Sequence, residues 1–128
     1  MSPFGNIPVQ ALVDAVEKHV GSLDDDELAA LLQGGLMTMP APTIAALVQS
    51  IFDAFRDRGE SSEDAAEGAE TPLADIERRD PAAVGSLVQY AHGNAGLLED
   101  ALMRLAESHA DELAGLPPAL VAGITGSL

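Results

Sequence analysis

The stretch from Leu28 to Phe52, LAALLQGGLMTMPAPTIAALVQSIF, contains no charged side chain, although the formal net charge of the chain is −15. Its length exceeds the run of about 20 apolar residues that a helix needs to cross a bilayer. Two glycines and two prolines at its centre interrupt it, because glycine ends helices and proline disfavours helix at the preceding residue. The stretch therefore predicts a short helix, a connector and a longer helix in a protein core, and membrane insertion is disfavoured.

Apolar side chains recur at helical spacing through the rest of the chain. The apolar residues of the whole chain are mainly Ala, Leu and Val, with three Phe, one Tyr and no Trp, a composition typical of closely packed helices. We expect an all-α fold, a compact bundle of about five or six helices. The predicted helices are residues 8–20, 24–35, 44–58, 81–92, 95–116 and 117–128, with one or two helical turns at 72–79.

The 128 residues are expected to form a single helical domain. Within it, segment 59–71, GESSEDAAEGAET, has five acids, no base and no large apolar side chain. Such a composition buries too little apolar surface to offset the entropy of ordering. It predicts a flexible acidic linker between N-terminal helices in 1–58 and C-terminal helices in 72–128. An acidic recognition loop is the alternative.

Residues 12–31 and 97–116 align without a gap, and both end in DELA, one residue and Leu. Such matches arise readily by chance in a chain rich in Ala and Leu. A true duplication would instead give two similar helical halves joined by the acidic linker. Both interpretations stay open.

The charge limits the possible partners. Twenty-one acids face six basic residues, of which Lys18 is the single lysine. This balance repels phosphate backbones and anionic membranes, so direct nucleic-acid binding is not expected and membrane association is disfavoured. The acidity favours solubility, and adaptation to high salt is a second explanation. A GC-rich genome would also favour Arg over Lys.

The chain has no cysteine, which excludes disulfides and thiolate chemistry. The opening residues, MSPFGNIPVQ, lack the pattern of an export signal, so a cytoplasmic location is expected.

The histidines are the candidates for neutral-pH acid–base chemistry: His19, His92 and His109. None follows the Glu-x-x-His pattern of bundle metal sites, and the DDDE run at 24–27 is better explained as a helix start than as a calcium loop. No nucleophile elbow or phosphate loop is present. We therefore predict no catalytic, cofactor or metal site, and a protein that is not an enzyme.

The uncharged tracts 28–52 and 113–128 predict an interaction surface, since large exposed apolar patches mark interfaces. We expect a non-catalytic protein–protein interaction, scaffold or adaptor module, most simply a homodimer. Met37 and Met39 suit either a core or an adaptable partner groove. The interface candidates are Leu36, Met37, Met39, Ile44, Val48, Ile51, Phe52, Phe55, Leu120, Val121 and Ile124.

Two other functions remain open. An acidic regulator would occupy the basic surface of a nucleic-acid-binding protein, presenting residues 60–70 and neighbouring acids. A helical bundle that binds a metal or small ligand is the other alternative.

Overall fold

Helices make up most of the described chain. The computed structural model describes residues 7–94 and 96–128, except the side chain of residue 25, and these ranges contain no β-strand. The all-α prediction is confirmed. The helices are α1 (Val9–Gly21), α2 (Asp25–Gly35), α3 (Ala41–Asp57), α4 (Ser62–Gly68), α5 (Leu73–Glu77), α6 (Pro81–His92), α7 (Leu97–Ser108), a 3₁₀ helix (Ala110–Gly115) and α8 (Pro118–Gly126). Residues 1–6, part of the opening segment in which no export signal is predicted, lie outside the described residues.

Proline and acidic residues set several helix starts. Asp80 accepts a hydrogen bond from the Ala82 amide at 3.2 Å, with Pro81 at the first helical position, as the sequence predicts. Helix α3 begins before the predicted Ile44, because Pro42 fits the first turn, where no amide donor is needed. Asp24 takes the predicted cap position of α2, although its side chain makes no capping hydrogen bond.

Helix α7 is the main packing partner of both α1 and α3, whereas α2 packs on α6 and α8 on α1. Leu102 and Leu105 present one fully buried face of α7. Leu12 and Leu47, from α1 and α3, are fully buried in the same core cluster. Apolar stripes at helical spacing thus meet in one continuous core, as their periodicity predicts.

The charge-free stretch that begins at Leu28 folds into this core as α2, a connector and α3. Ile44 and Phe52 are buried on α3, and Leu120 is buried on α8. Among the described residues, no helix has both the length and the apolar character that a membrane span requires.

Segment 59–71 differs from the expected flexible linker, because it contains α4. Ser61 and Asp64 form a reciprocal capping box, with side-chain to backbone distances of 3.2 and 3.3 Å. Ala65 and Ala66 are buried, and α4 packs on α3, α5 and α6. The cap and two small side chains thus allow a helix where large apolar residues are absent.

Segment 95–116 also differs, since it is not one helix. Helix α7 ends at Ser108, and His109 has φ −137° and ψ 51° before the 3₁₀ helix begins. The buried Thr43 hydroxyl donates to the Glu112 carboxylate at 3.0 Å, which ties the 3₁₀ helix to α3. The second copy of the internal echo is therefore α7 plus a 3₁₀ helix, whereas the first is α1 plus most of α2.

A glycine lets the end of α2 approach the chain before α8. A Cβ placed on Gly35 would lie 2.5 Å from the Pro117 Cγ and 3.2 Å from its Cβ, whereas one on Gly34 would meet nothing within 4 Å. Pro117 is buried and its ring cannot rotate away. The contact therefore requires glycine at one of these two adjacent positions.

We predict opposite effects for alanine at these positions. Gly35→Ala should destabilise the fold by about 1–3 kcal/mol through overpacking. Gly34→Ala should be neutral or stabilising by up to about 1 kcal/mol, because alanine is the better helix former. Urea denaturation followed by circular dichroism measures both. Equal stabilities of the two variants would show that the Gly35–Pro117 contact is not tight.

Candidate functional site

Most of the predicted interface residues form the core of the single chain. Leu36, Met39, Ile44, Val48, Ile51, Phe52, Phe55, Leu120 and Ile124 are buried, and Val121 is partly buried. Met37 is the exception, with 79% of its surface exposed, the largest value among the exposed large hydrophobic residues of the described chain. Of the candidate set, Met37 is the side chain with a large free surface.

Met37 borders a shallow groove between the end of α2 and the first turns of α6, which we call the α2–α6 groove. Its volume is about 500 Å³. None of its lining side chains carries a charge. The lining residues are Gln33, Leu36, Met37, Pro81, Ala82, Gly85, Ser86 and Gln89.

Polar contacts join α2 and α6, which pack antiparallel to each other. The Gln33 amide nitrogen donates to the Gly85 carbonyl at 3.2 Å and to the Gln89 side-chain oxygen at 3.0 Å. At the other end, His92 Nε2 lies 2.7 Å from an Asp26 carboxylate oxygen. The α2–α6 helix pair is therefore held at both ends, and the Gln33 amide nitrogen at the groove is hydrogen-bonded within the chain.

The groove contrasts with the acidic rest of the molecule. From Pro81 to Ala91, α6 has no charged residue. Asp80, the acid that precedes it, caps the helix through the Ala82 amide. A partner at the groove would thus bury apolar and amide surface without stripping water from a charge.

The histidines lie apart in the fold. His19 on α1 is half-buried against Gly123 of α8, His92 contacts Asp26, and His109 links α7 to the 3₁₀ helix. Within the described residues, no group of three His, Cys, Asp or Glu side chains is placed to hold a metal ion.

The acidic segment is attached to α6 through Tyr90. The Tyr90 hydroxyl donates to a Glu60 carboxylate oxygen at 2.6 Å, and its ring stacks on Phe55 with centroids 5.2 Å apart. A Cβ on Gly68 of α4 would lie only 2.3 Å from the Tyr90 ring, so glycine permits the close approach. The hydrogen bond to Glu60 raises the pKa of Tyr90, and burial and the nearby carboxylates add to the rise.

The fold defines the class as all-α. Protein-family models, curated protein sequences and solved structures give no significant match to this chain.

Helical spacing predicts residues 81–92 only as one more amphipathic helix and does not indicate that Pro81, Ala82 and Ser86 line a groove. The available signal was the absence of charge from Pro81 to Ala91, including positions that helical spacing leaves outside the core. Their proximity to Met37 depends on the packing of α2 on α6, which the sequence does not encode locally.

We predict that Tyr90 ionises above the ordinary tyrosine pKa of about 10. The folded state then keeps a proton that the unfolded chain loses, so this stabilisation is complete below pH 10 and is lost as pH rises through the folded pKa. Ultraviolet absorbance of phenolate reports this residue alone, because the chain has one Tyr and no Trp. Glu60→Gln should lower the pKa.

Glu67→Gln is the matched control, since it removes one carboxylate from the same acidic segment and Glu67 does not contribute to the Tyr90 shift. It should leave the titration nearly unchanged. An ordinary Tyr90 pKa in the unmodified protein would contradict the Glu60 contact.

Proposed function

We propose that this chain is a non-catalytic interaction domain that self-associates weakly through the α2–α6 groove. The exposed Met37 beside a charge-free groove is the observation that supports this proposal most directly. Methionine adapts its shape to irregular surfaces and is often found at binding surfaces. Burying an exposed side chain of this size contributes about 1.5–3 kcal/mol.

A second copy of the chain is the proposed occupant, on grounds of charge. Two chains of net charge −15 repel each other, and facing carboxylates would add the cost of desolvation. A symmetric contact brings the same patch of each copy together. At the α2–α6 groove this contact places no charged lining residue opposite another, so the repulsion stays long-range and can be screened.

The size of the groove limits the affinity. Eight lining residues are fewer than the roughly 20–30 residues a side of a standard interface. We therefore expect weak, reversible dimers that become substantial only at about 100 µM or above.

We predict that the sedimentation-average mass rises with concentration for the unmodified chain but stays at the monomer value for Met37→Glu. The new carboxylate would have to be buried in an apolar contact. Val9→Glu is the matched control, because Val9 is 46% exposed and does not line the groove, and a glutamate suits the first turn of α1. It should dimerise like the unmodified chain.

Salt should strengthen the association, since it screens the repulsion between acidic copies. A comparison at about 0.05 and about 0.5 M NaCl spans a large change in screening. A chain that is strictly monomeric in both salts up to several hundred micromolar would refute the proposal. So would equal loss of association in the Val9→Glu variant.

An acidic regulator is the second proposal, and the exposed Glu63, Asp64 and Glu67 on α4 support it. Its salt dependence is opposite to that of self-association, because binding to a basic partner weakens as salt is added. Poly-lysine is a suitable probe. Loss of poly-lysine binding on neutralising these three acids, with unchanged behaviour of Met37→Glu, would favour this function over self-association.

A further inference from the structure

We propose that a cavity between α3, α4 and α5 binds a small carboxylate that carries an apolar chain. The cavity measures about 370 Å³, toward the lower end of the roughly 300–1,000 Å³ of small-molecule sites. It shares no lining residue with the α2–α6 groove. The inference therefore does not depend on self-association.

The floor of the cavity is apolar. Val48 and Phe52 on α3 and Ile76 on α5 line it. Val48 and Phe52 are 7% and 8% exposed, although they belong to the core cluster. These three side chains provide contact surface for a short hydrocarbon chain, and Gln49 and Ser62 add hydrogen-bonding groups to the rest of the lining.

Charged side chains surround this floor. Arg56, Arg79 and Glu77 all line the cavity. Arg56 is partly neutralised by Asp53, at 3.3 Å. In contrast, the Arg79 guanidinium has no hydrogen bond or ion pair with any residue that the structure describes.

The backbone of Arg79 closes α5 and so positions this side chain at the edge of the cavity. Its φ is 61°, in the left-handed region, and the following Asp80 amide bonds back to the Asp75 carbonyl at 3.2 Å. This is the Schellman end of a helix, where glycine is strongly preferred. Helix α3 ends in the same way with a glycine, Gly59, at φ 88°. At the end of α5 an arginine takes this position, as Glu70 does at φ 56° at the end of α4, and of the two only Arg79 lines the cavity.

A guanidinium binds a carboxylate through two parallel hydrogen bonds, which suits a monoanion. Glu77 disfavours a ligand with more negative charge. The apolar floor and unpaired Arg79 together favour an apolar monocarboxylate over an alcohol, a polyanion or a cation.

Octanoate is the probe, with octanol as its uncharged analogue. Titration of the full chain, followed by backbone amide NMR shifts, should show saturable changes centred on α3 and α5. Octanol should bind at least about tenfold more weakly, because it lacks the charge-assisted hydrogen bonds to Arg79.

Three variants separate binding from stability. Arg79→Gly should weaken octanoate binding about tenfold or more while raising the urea midpoint, because glycine relieves the strained φ. Glu70→Gly relieves the same strain at φ 56° after α4 and should raise the midpoint without weakening binding. Arg78→Gln removes one charge next to Arg79, at a residue that does not line the cavity, and should bind octanoate nearly as well as the unmodified chain.

Loss of binding in Arg79→Gly alone, with a raised midpoint, supports the proposal. Equal binding of octanoate and octanol, or unchanged binding in Arg79→Gly, would overturn it. Shifts that localise to α2 and α6 would also overturn it, because they would place the ligand in the other groove. Absence of any saturable shift at millimolar octanoate would do the same.

Discussion

Helices α1, α3 and α6 pack closely against α7, because small side chains lie at the contacts between them. Ala101 and Ala106 on α7 and Ala54 on α3 are fully buried, and such small residues allow helix axes to come close. The approach is closer still at Gly35, Gly68 and Gly115, where a Cβ would lie 1.9–2.5 Å from a neighbouring side chain. Interiors are close-packed, so each of these contacts leaves no room for a methyl group. The positions of α2, α4 and the 3₁₀ helix depend on this close approach.

The same packing determines where charge can lie. The uncharged tracts supply much of the core, and the acids whose side chains the structure describes lie at exposed or half-buried positions around it. An interior built from small aliphatic residues therefore coexists with a net charge of −15. The α2–α6 groove differs from this acidic surface because its lining carries no charge, and association between like-charged copies favours such an uncharged contact. The apolar candidates on α3 and α8 are unavailable for such contacts because they are buried in the core, except Val121, which is partly buried.

Sequence periodicity was sufficient for the all-α class and for helices with strong stripes and clear ends, such as α1, α3 and α6. It failed where tertiary contacts decide the local structure. Ala65 and Ala66 carry too little apolar surface to predict a helix, yet they pack on neighbours that lie far away in sequence. The change from α7 to a 3₁₀ helix at His109 accompanies the bond between Thr43 and Glu112, separated by 69 residues. No local pattern reports such a contact.

The two candidate surfaces also depend on contacts between residues far apart in sequence, so no local pattern predicts them. They meet at the turn between α5 and α6. Arg79 lines the α3–α4–α5 cavity, and Pro81, two residues later, lines the α2–α6 groove. Between them lies Asp80, whose carboxylate caps α6 and whose backbone amide donates to the Asp75 carbonyl at the end of α5. Residues 79–81 therefore join the two candidate surfaces within a single turn of the chain.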